Sequence, residues 1–149
     1  MNLGKAGQLG IVVKDVERAV DFLYRQFGIG PFGVVPLDNV NAVYKGKEIT
    51  YRIKAGVCKH EDMMYELIEV VEGECILTDP QYLPPSGQGL HHVGFFVDDL
   101  DKAIEEWTAD GGEVLQRGSF LPGAGTAYLD TPAGCGMLVE LIKMPENNQ

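Results

Sequence analysis

Apolar positions along this chain follow two rhythms, and the same succession occurs twice. Leu9-Gly10-Ile11-Val12-Val13 is a short apolar run ended by Lys14-Asp15, the pattern of a buried strand. Behind it, Val16, Ala19, Val20, Leu23 and Phe27 recur at helical spacing, which predicts one apolar face of a helix of about three turns. Asp15 is placed to cap that helix, because a carboxylate there accepts the free amides of the first turn. Gly28 is placed to stop it. Residues 90–97 read as a second buried strand, Asp99 as its cap, Leu100, Ala103, Ile104 and Trp107 as the apolar stripe, and Gly111-Gly112 as the stop.

Beyond each helix the chain turns strand-like. Strands are expected near 33–37, 40–44, 49–55 and 63–70, and again near 113–118, 125–130 and 137–143. Pro31, Gly33, Gly56, Pro122-Gly123, Pro132 and Gly134 punctuate them. Between the halves, residues 72–88 are polar and hold Pro80, Pro84 and Pro85, which reads as an ordered-to-loose linker. The tail from Pro145 to Gln149 is expected to fray.

The two halves also match residue by residue. Gln8 to Val20 echoes His92 to Ile104 at a constant offset of 84, and Tyr65-Glu66-Leu67-Ile68 echoes Val139-Glu140-Leu141-Ile142. Each half therefore opens on a potential ligand (Gln8, His92) and closes on a carboxylate (Glu66, Glu140). This implies an α+β fold of two tandem βαβββ modules, residues 5–71 and 89–144, within one domain spanning 1–149. A small sheet with one helix leaves an apolar face uncovered. Pairing the modules edge to edge gives a curved mixed sheet with helices outside and a concave face inside, where the four polar side chains can meet.

Composition narrows the functions available. Of 149 residues, 45% are hydrophobic and 23% charged, as in an ordinary globule. The formal net charge of −10 repels nucleic acid. One cationic stretch, Lys45, Lys47, Arg52 and Lys54, reads either as a solvated hairpin or as an anchor for ligand phosphates or carboxylates. Cys58, Cys75 and Cys135 are odd in number and widely spaced, so they read as ordinary buried or half-buried thiols. No apolar run reaches the roughly 20 residues of a membrane helix, and the first residues lack a leader's apolar segment. No membrane partner and a cytoplasmic location are expected.

The segments Gly89-Leu90-His91-His92-Val93-Gly94, His92 to Leu100 and Gly136-Met137-Leu138-Val139-Glu140-Leu141, with weaker copies at 8–16 and 64–68, resemble the vicinal oxygen chelate superfamily. That superfamily includes glyoxalase I, methylmalonyl-CoA epimerase and the extradiol dioxygenases. The likeness spans about residues 7 to 144 and is nearest the epimerase branch. It implies that Gln8, Glu66, His92 and Glu140 bind one divalent metal ion. Gln8 stands where epimerases usually place His, and Glu66 where they usually have Gln. The resulting set is closer to that of some glyoxalase I enzymes. The arginines that glyoxalase I uses for glutathione, and the Lys that many epimerases carry in the turn matching residues 123–126, have no counterpart here. The resemblance also implies a small carbonyl or acyl-thioester substrate and a homodimer.

Two carboxylates, an imidazole and an amide oxygen form a hard, mostly oxygen donor set suited to Zn, Ni, Co, Mn or Mg. Such a metal stabilises the enolate formed when a proton α to a carbonyl is removed. Glu140 is expected to act as base, with Glu66 as partner and ligand. Tyr51, Phe96, Phe120 and Tyr128 are candidates to line the substrate pocket. Glu48 lies in the region where epimerases place a second carboxylate. Strand alternation turns His91 away from His92, toward a structural role, and His60 reads as a solvated loop residue. The leading expectation is an isomerase or epimerase. Alternatives are a glyoxalase I-like lyase and a metal-free binding protein of the same fold. An extradiol dioxygenase fits least, because its iron site needs a second His where Gln8 stands.

Overall fold

Both capped helices form where the apolar spacing puts them. In the computed structural model, which describes residues 1–131 and 135–146, helix α1 is Val16–Phe27 and helix α2 is Leu100–Ala109. The Asp15 carboxylate accepts from the Arg18 amide, and the Asp99 carboxylate accepts from the Lys102 amide, each at 3.0 Å. Gly28 ends α1 in the left-handed region at φ 68°, as its lack of a Cβ allows.

Eight strands accompany the helices: β1 Gln8–Val12, β2 Gly33–Tyr44, β3 Lys47–His60, β4 Met63–Glu72, β5 Gly89–Phe96, β6 Val114–Ser119, β7 Gly125–Leu129 and β8 Leu138–Lys143. The two strands expected at 33–37 and 40–44 are one strand, β2, whose pairing with β3 shifts register between Leu37 and Val40. A bulge there turns the strand without ending it. The turn expected at Pro132 and Gly134 lies outside the described residues, as do positions 147–149 of the tail.

The strands close into a barrel in the order β1-β4-β3-β2-β6-β7-β8-β5. Within each module the opening and closing strands are parallel, β1 beside β4 and β5 beside β8. Two antiparallel seams join the modules, β1 to β5 and β2 to β6. Closure removes the free sheet edges that an open sheet would expose. Helix α1 lies outside β3 and β4. A Cβ at Gly56 would come within 2.7 Å of Val20 Cγ1, so only glycine lets the helix approach this closely. Helix α2 covers β7 and β8 through Leu100 and Ala103 over Leu129 and Leu141.

The segment between the modules is not a loose spacer. Cys75, Ile76 and Leu77 are all but inaccessible (1%, 0% and 2% exposed) and pack among Tyr51, Ile53, Ile68, Leu115 and Tyr128. Burying side chains of this size stabilises by about 1.5–3 kcal/mol each. Gln116, itself buried, accepts from the Ile76 amide at 3.0 Å and donates to the Tyr51 hydroxyl at 3.1 Å. Tyr44 donates to Asp79, and Lys45 pairs with the same carboxylate at 3.3 Å. The apolar triplet is thus a plug in the barrel, which its polar, Pro-rich flanks concealed. Of the thiols, Cys58 and Cys75 are buried as expected, whereas Cys135 is exposed. Among the described residues, no helix is long and apolar enough to cross a membrane.

Candidate metal and proton-transfer centre

Strand alternation decides which side chains enter the barrel. On β4, Glu69 faces outward, accepting from the Val16 amide at 2.9 Å, so Glu66 and Ile68 face inward. On β8, Val139 and Leu141 lie beneath α2, so Leu138, Glu140 and Ile142 face inward. The antiparallel seam sets Gln8 opposite Gly94 and Gly10 opposite His92. Each opening strand therefore lays its polar side chain over a glycine of the other. A Cβ at Gly10 would sit 2.0 Å from the His92 ring, and a Cβ at Gly94 would sit 2.8 Å from Gln8 Cβ.

The four expected ligands do come together. Ligand atoms of Glu66, His92 and Glu140 lie within 4.8 Å of one another. His92 Nε2 is 3.0 Å from Glu140 Oε2 and 3.3 Å from Gln8 Oε1. Gln8 also donates to the Met64 sulfur at 3.5 Å. Gln8, His92 and Glu140 are buried, and Glu66 is half-buried. Glu140 Oε2 is buried and, beyond the 3.0 Å approach of His92 Nε2, has no partner to fill its remaining lone pair. Such an under-paired acceptor is costly unless something else occupies that lone pair. An under-paired carboxylate oxygen beside an imidazole, a second carboxylate and an amide oxygen fits a hard divalent cation in both chemistry and arrangement.

Electrostatics separate the two carboxylates from an exposed pair. Burial, then the nearby Glu140 charge, pushes the Glu66 carboxyl up to about 7, against smaller opposing effects of His92 and Gln8. Burial works against a charged His92, but Glu140 and Glu66 outweigh it, and the imidazole is raised. Burial first, and then Glu140, raises the Tyr128 hydroxyl well above its ordinary range, so it stays protonated as a donor.

His91 is not turned away from this cluster. The β1–β5 register shifts between Gly10 and Ile11, which pair with His92 and Leu90, so His91 is a bulged extra residue. A bulge suspends alternation. Its Nδ1 lies 2.9 Å from His92 Nδ1, and its Nε2 lies 3.0 Å from the Ile76 carbonyl oxygen. Burial and the neighbouring His92 push its imidazole down to about 4. Sequence reasoning missed His91, Gln116 and Ile76. The Cys75-Ile76-Leu77 triplet inside a polar stretch was the one signal on offer.

The other expected residues divide. Tyr51 and Tyr128 are buried beside the cluster, with the Tyr128 ring centroid 5.1 Å from that of His92. Phe96 lies at the opposite end of β5 from the plug, over Gly7 and 43% exposed. Phe120 is half-buried in the bend after β6, with no described contact to the four. Glu48 is exposed in an open groove of about 1060 Å³ at the β2–β6 seam, and does not reach the cluster. The cationic stretch forms a hairpin whose charges are mostly met: Lys45 by Asp79, Arg52 by Asp38 and Glu72, Lys54 by Glu17. That pairing favours the solvated-hairpin reading over a ligand anchor. His60 ends β3, its ring edge-on to Tyr65.

Comparison with known proteins bears on the fold. The family described as Glyoxalase/Bleomycin resistance protein/Dioxygenase superfamily matches residues 7–129. No curated protein matches the sequence. Among solved structures, a hypothetical protein from Bacillus halodurans C-125 is similar at 19% identity and TM-score 0.69, covering 97% of both chains. Streptomyces coelicolor methylmalonyl-CoA epimerase in complex with 2-nitronate-propionyl-CoA is similar at 22% identity and TM-score 0.65, covering 95% of both. Methylmalonyl-CoA epimerase from Mycobacterium tuberculosis is similar at 15% identity and TM-score 0.63, covering 96% of this chain and 89% of its own. At these identities the likeness establishes the fold.

Proposed function

The chain belongs to the Glyoxalase/Bleomycin resistance protein/Dioxygenase superfamily, and on that premise we propose that it is a metal-dependent isomerase that moves a proton α to a carbonyl, in the manner of methylmalonyl-CoA epimerase. The observation that carries this reading is the convergence of Gln8, Glu66, His92 and Glu140, with a buried Glu140 oxygen whose one neighbour is the His92 imidazole. Those four residues would hold one divalent cation, which when bound supplies Lewis acidity to a substrate carbonyl oxygen.

The remaining chemistry belongs to the side chains. Glu66 and Glu140 are close enough to repel, so one proton shared between them relieves the pair. Without a cation the Glu66 carboxyl is raised to about 7; a cation held there would oppose that shift and favour the carboxylate, the form that accepts a proton. The α-proton leaves carbon for the carboxylate of one Glu, and a proton returns to carbon from the pair. Tyr128 keeps its hydroxyl proton and borders the cluster as a donor. Tyr51 is pinned by Gln116 on the plug side and shapes the inner wall.

The test is elemental analysis of the purified protein, followed by deuterium wash-in at the α-carbon of methylmalonyl-CoA in D2O. The expected result is about one divalent ion per chain, lost in Glu140→Ala, and exchange that requires the ion. A metal-loaded protein that exchanges no α-proton but consumes the glutathione hemithioacetal of methylglyoxal would replace this reading with the lyase. Protein that takes up no divalent ion on reloading would leave a binding protein of the same fold.

A further inference from the structure

We infer that His91 is a positioning residue that fixes the proton of His92 on Nδ1 and ties that ligand to the plug segment through the Ile76 carbonyl. The inference rests on the reading of His92 as a metal ligand and adds a residue to it. A backbone carbonyl oxygen can only accept. At 3.0 Å from the Ile76 oxygen, His91 Nε2 must therefore carry the proton. A neutral imidazole has one proton to give, which leaves His91 Nδ1 as an acceptor. The nitrogen 2.9 Å away, His92 Nδ1, must then be the donor. With that proton on Nδ1, Nε2 is the nitrogen turned to the cation site, 3.0 Å from Glu140 Oε2 and 3.3 Å from Gln8 Oε1, the two acceptors it faces when no cation is bound.

The relay thus runs from Ile76 through His91 to His92 and ends on the ligand atom. Metal-binding imidazoles commonly give their second N–H to a carboxylate, carbonyl or water. Here the acceptor is another imidazole, anchored in turn on a residue that is fully buried. Two features make it specific to this site. The bulge at His91 is what brings adjacent residues to the same side, and the matching position of the first half, 84 residues earlier, is Gly7. Gln8 therefore has no such support, and only the second half is wired to the plug.

The proposal is tested first by 15N NMR of the histidine rings in metal-free protein at pH 8. The expected pattern is a protonated His92 Nδ1, an unprotonated His91 Nδ1 and a protonated His91 Nε2. A proton on His91 Nδ1, or none on His92 Nδ1, overturns the inference. The second arm is zinc affinity by competition with a chelating dye. His91→Phe keeps an apolar ring but can neither accept nor donate, and is expected to weaken zinc binding about 10–100-fold. His91→Gln carries one acceptor and one donor on a planar group and is expected to recover most of the loss. A folded His91→Phe protein that holds zinc as tightly as the wild type also overturns the inference. Should His91→Phe fail to fold, the Gln variant and the wild-type proton positions still decide. Wild-type protein that binds no zinc would remove the metal site alone, because proton placement is read without metal.

Discussion

The two modules share a plan yet hold their halves of the site differently. In the second, His92 touches Glu140 at 3.0 Å, leans on His91, and packs edge-on against Tyr128. In the first, Gln8 meets His92 at a longer 3.3 Å and otherwise has the Met64 sulfur, and Glu66 is half-buried with its carboxyl raised to about 7. The scaffolds differ in the same sense. The β2–β3 hairpin has strands of 12 and 14 residues, whereas β6 and β7 have 6 and 5. The repeat puts equivalent polar positions at the centre, and the two halves then pack them differently, His92 more tightly enclosed than Glu66.

That difference can be broken most severely at the more enclosed half. Glu140→Ala is expected to weaken metal binding by more than the roughly 100-fold typical of outer-shell changes, and by more than Glu66→Ala does. Zinc titration of both variants checks this, and equal losses would erase the distinction between the halves.

The glycine cradles come next. Gly10→Ala places a methyl group against the His92 ring, which is itself held by His91 and Glu140 and cannot yield. It should cost roughly 3 kcal/mol of stability. Gly94→Ala meets Gln8 Cβ and the tip of Ile142 at 2.8 Å, and should cost nearer ~1 kcal/mol. Chemical denaturation of the metal-free proteins measures both, and the reverse ranking would show that the first half is the stiffer one.

Replacing the weaker ligand sharpens the comparison. Gln8→His gives both opening strands an imidazole and should tighten zinc by about tenfold, since imidazole is the better ligand for that ion. Unchanged affinity would mean that Gln8 does not touch the metal.

The smallest effect is one of pH. Glu66 holds its proton more tightly folded than unfolded, its carboxyl being raised from 4.5 to about 7. The folded state therefore binds more protons between those values, and the contribution of Glu66 to stability falls as pH rises through that window. Glu66→Gln removes the effect. The metal-free wild type, measured against that variant, should lose on the order of 1–3 kcal/mol from about pH 5 to pH 8. A constant difference across that range would show that Glu66 keeps an ordinary pKa.

Local patterns carried the helices, their aspartate caps and the glycine stop of α1, because caps and apolar stripes act within a few residues. The 84-residue repeat carried the pairing of Gln8 with His92 and of Glu66 with Glu140. Alternation along β4 and β8 then turned Glu66 and Glu140 to the inner side, as the sequence implied. Other features depended on contacts between segments far apart in the chain. Closure of the barrel needed the β2–β6 seam, which joins residues more than 70 positions apart and left no local trace. The plug at 75–77 looked like linker because three apolar residues gain their stability only inside a barrel that other strands have built. His91 defeated alternation because a bulge is a mismatch between two strands, and neither strand alone can reveal it.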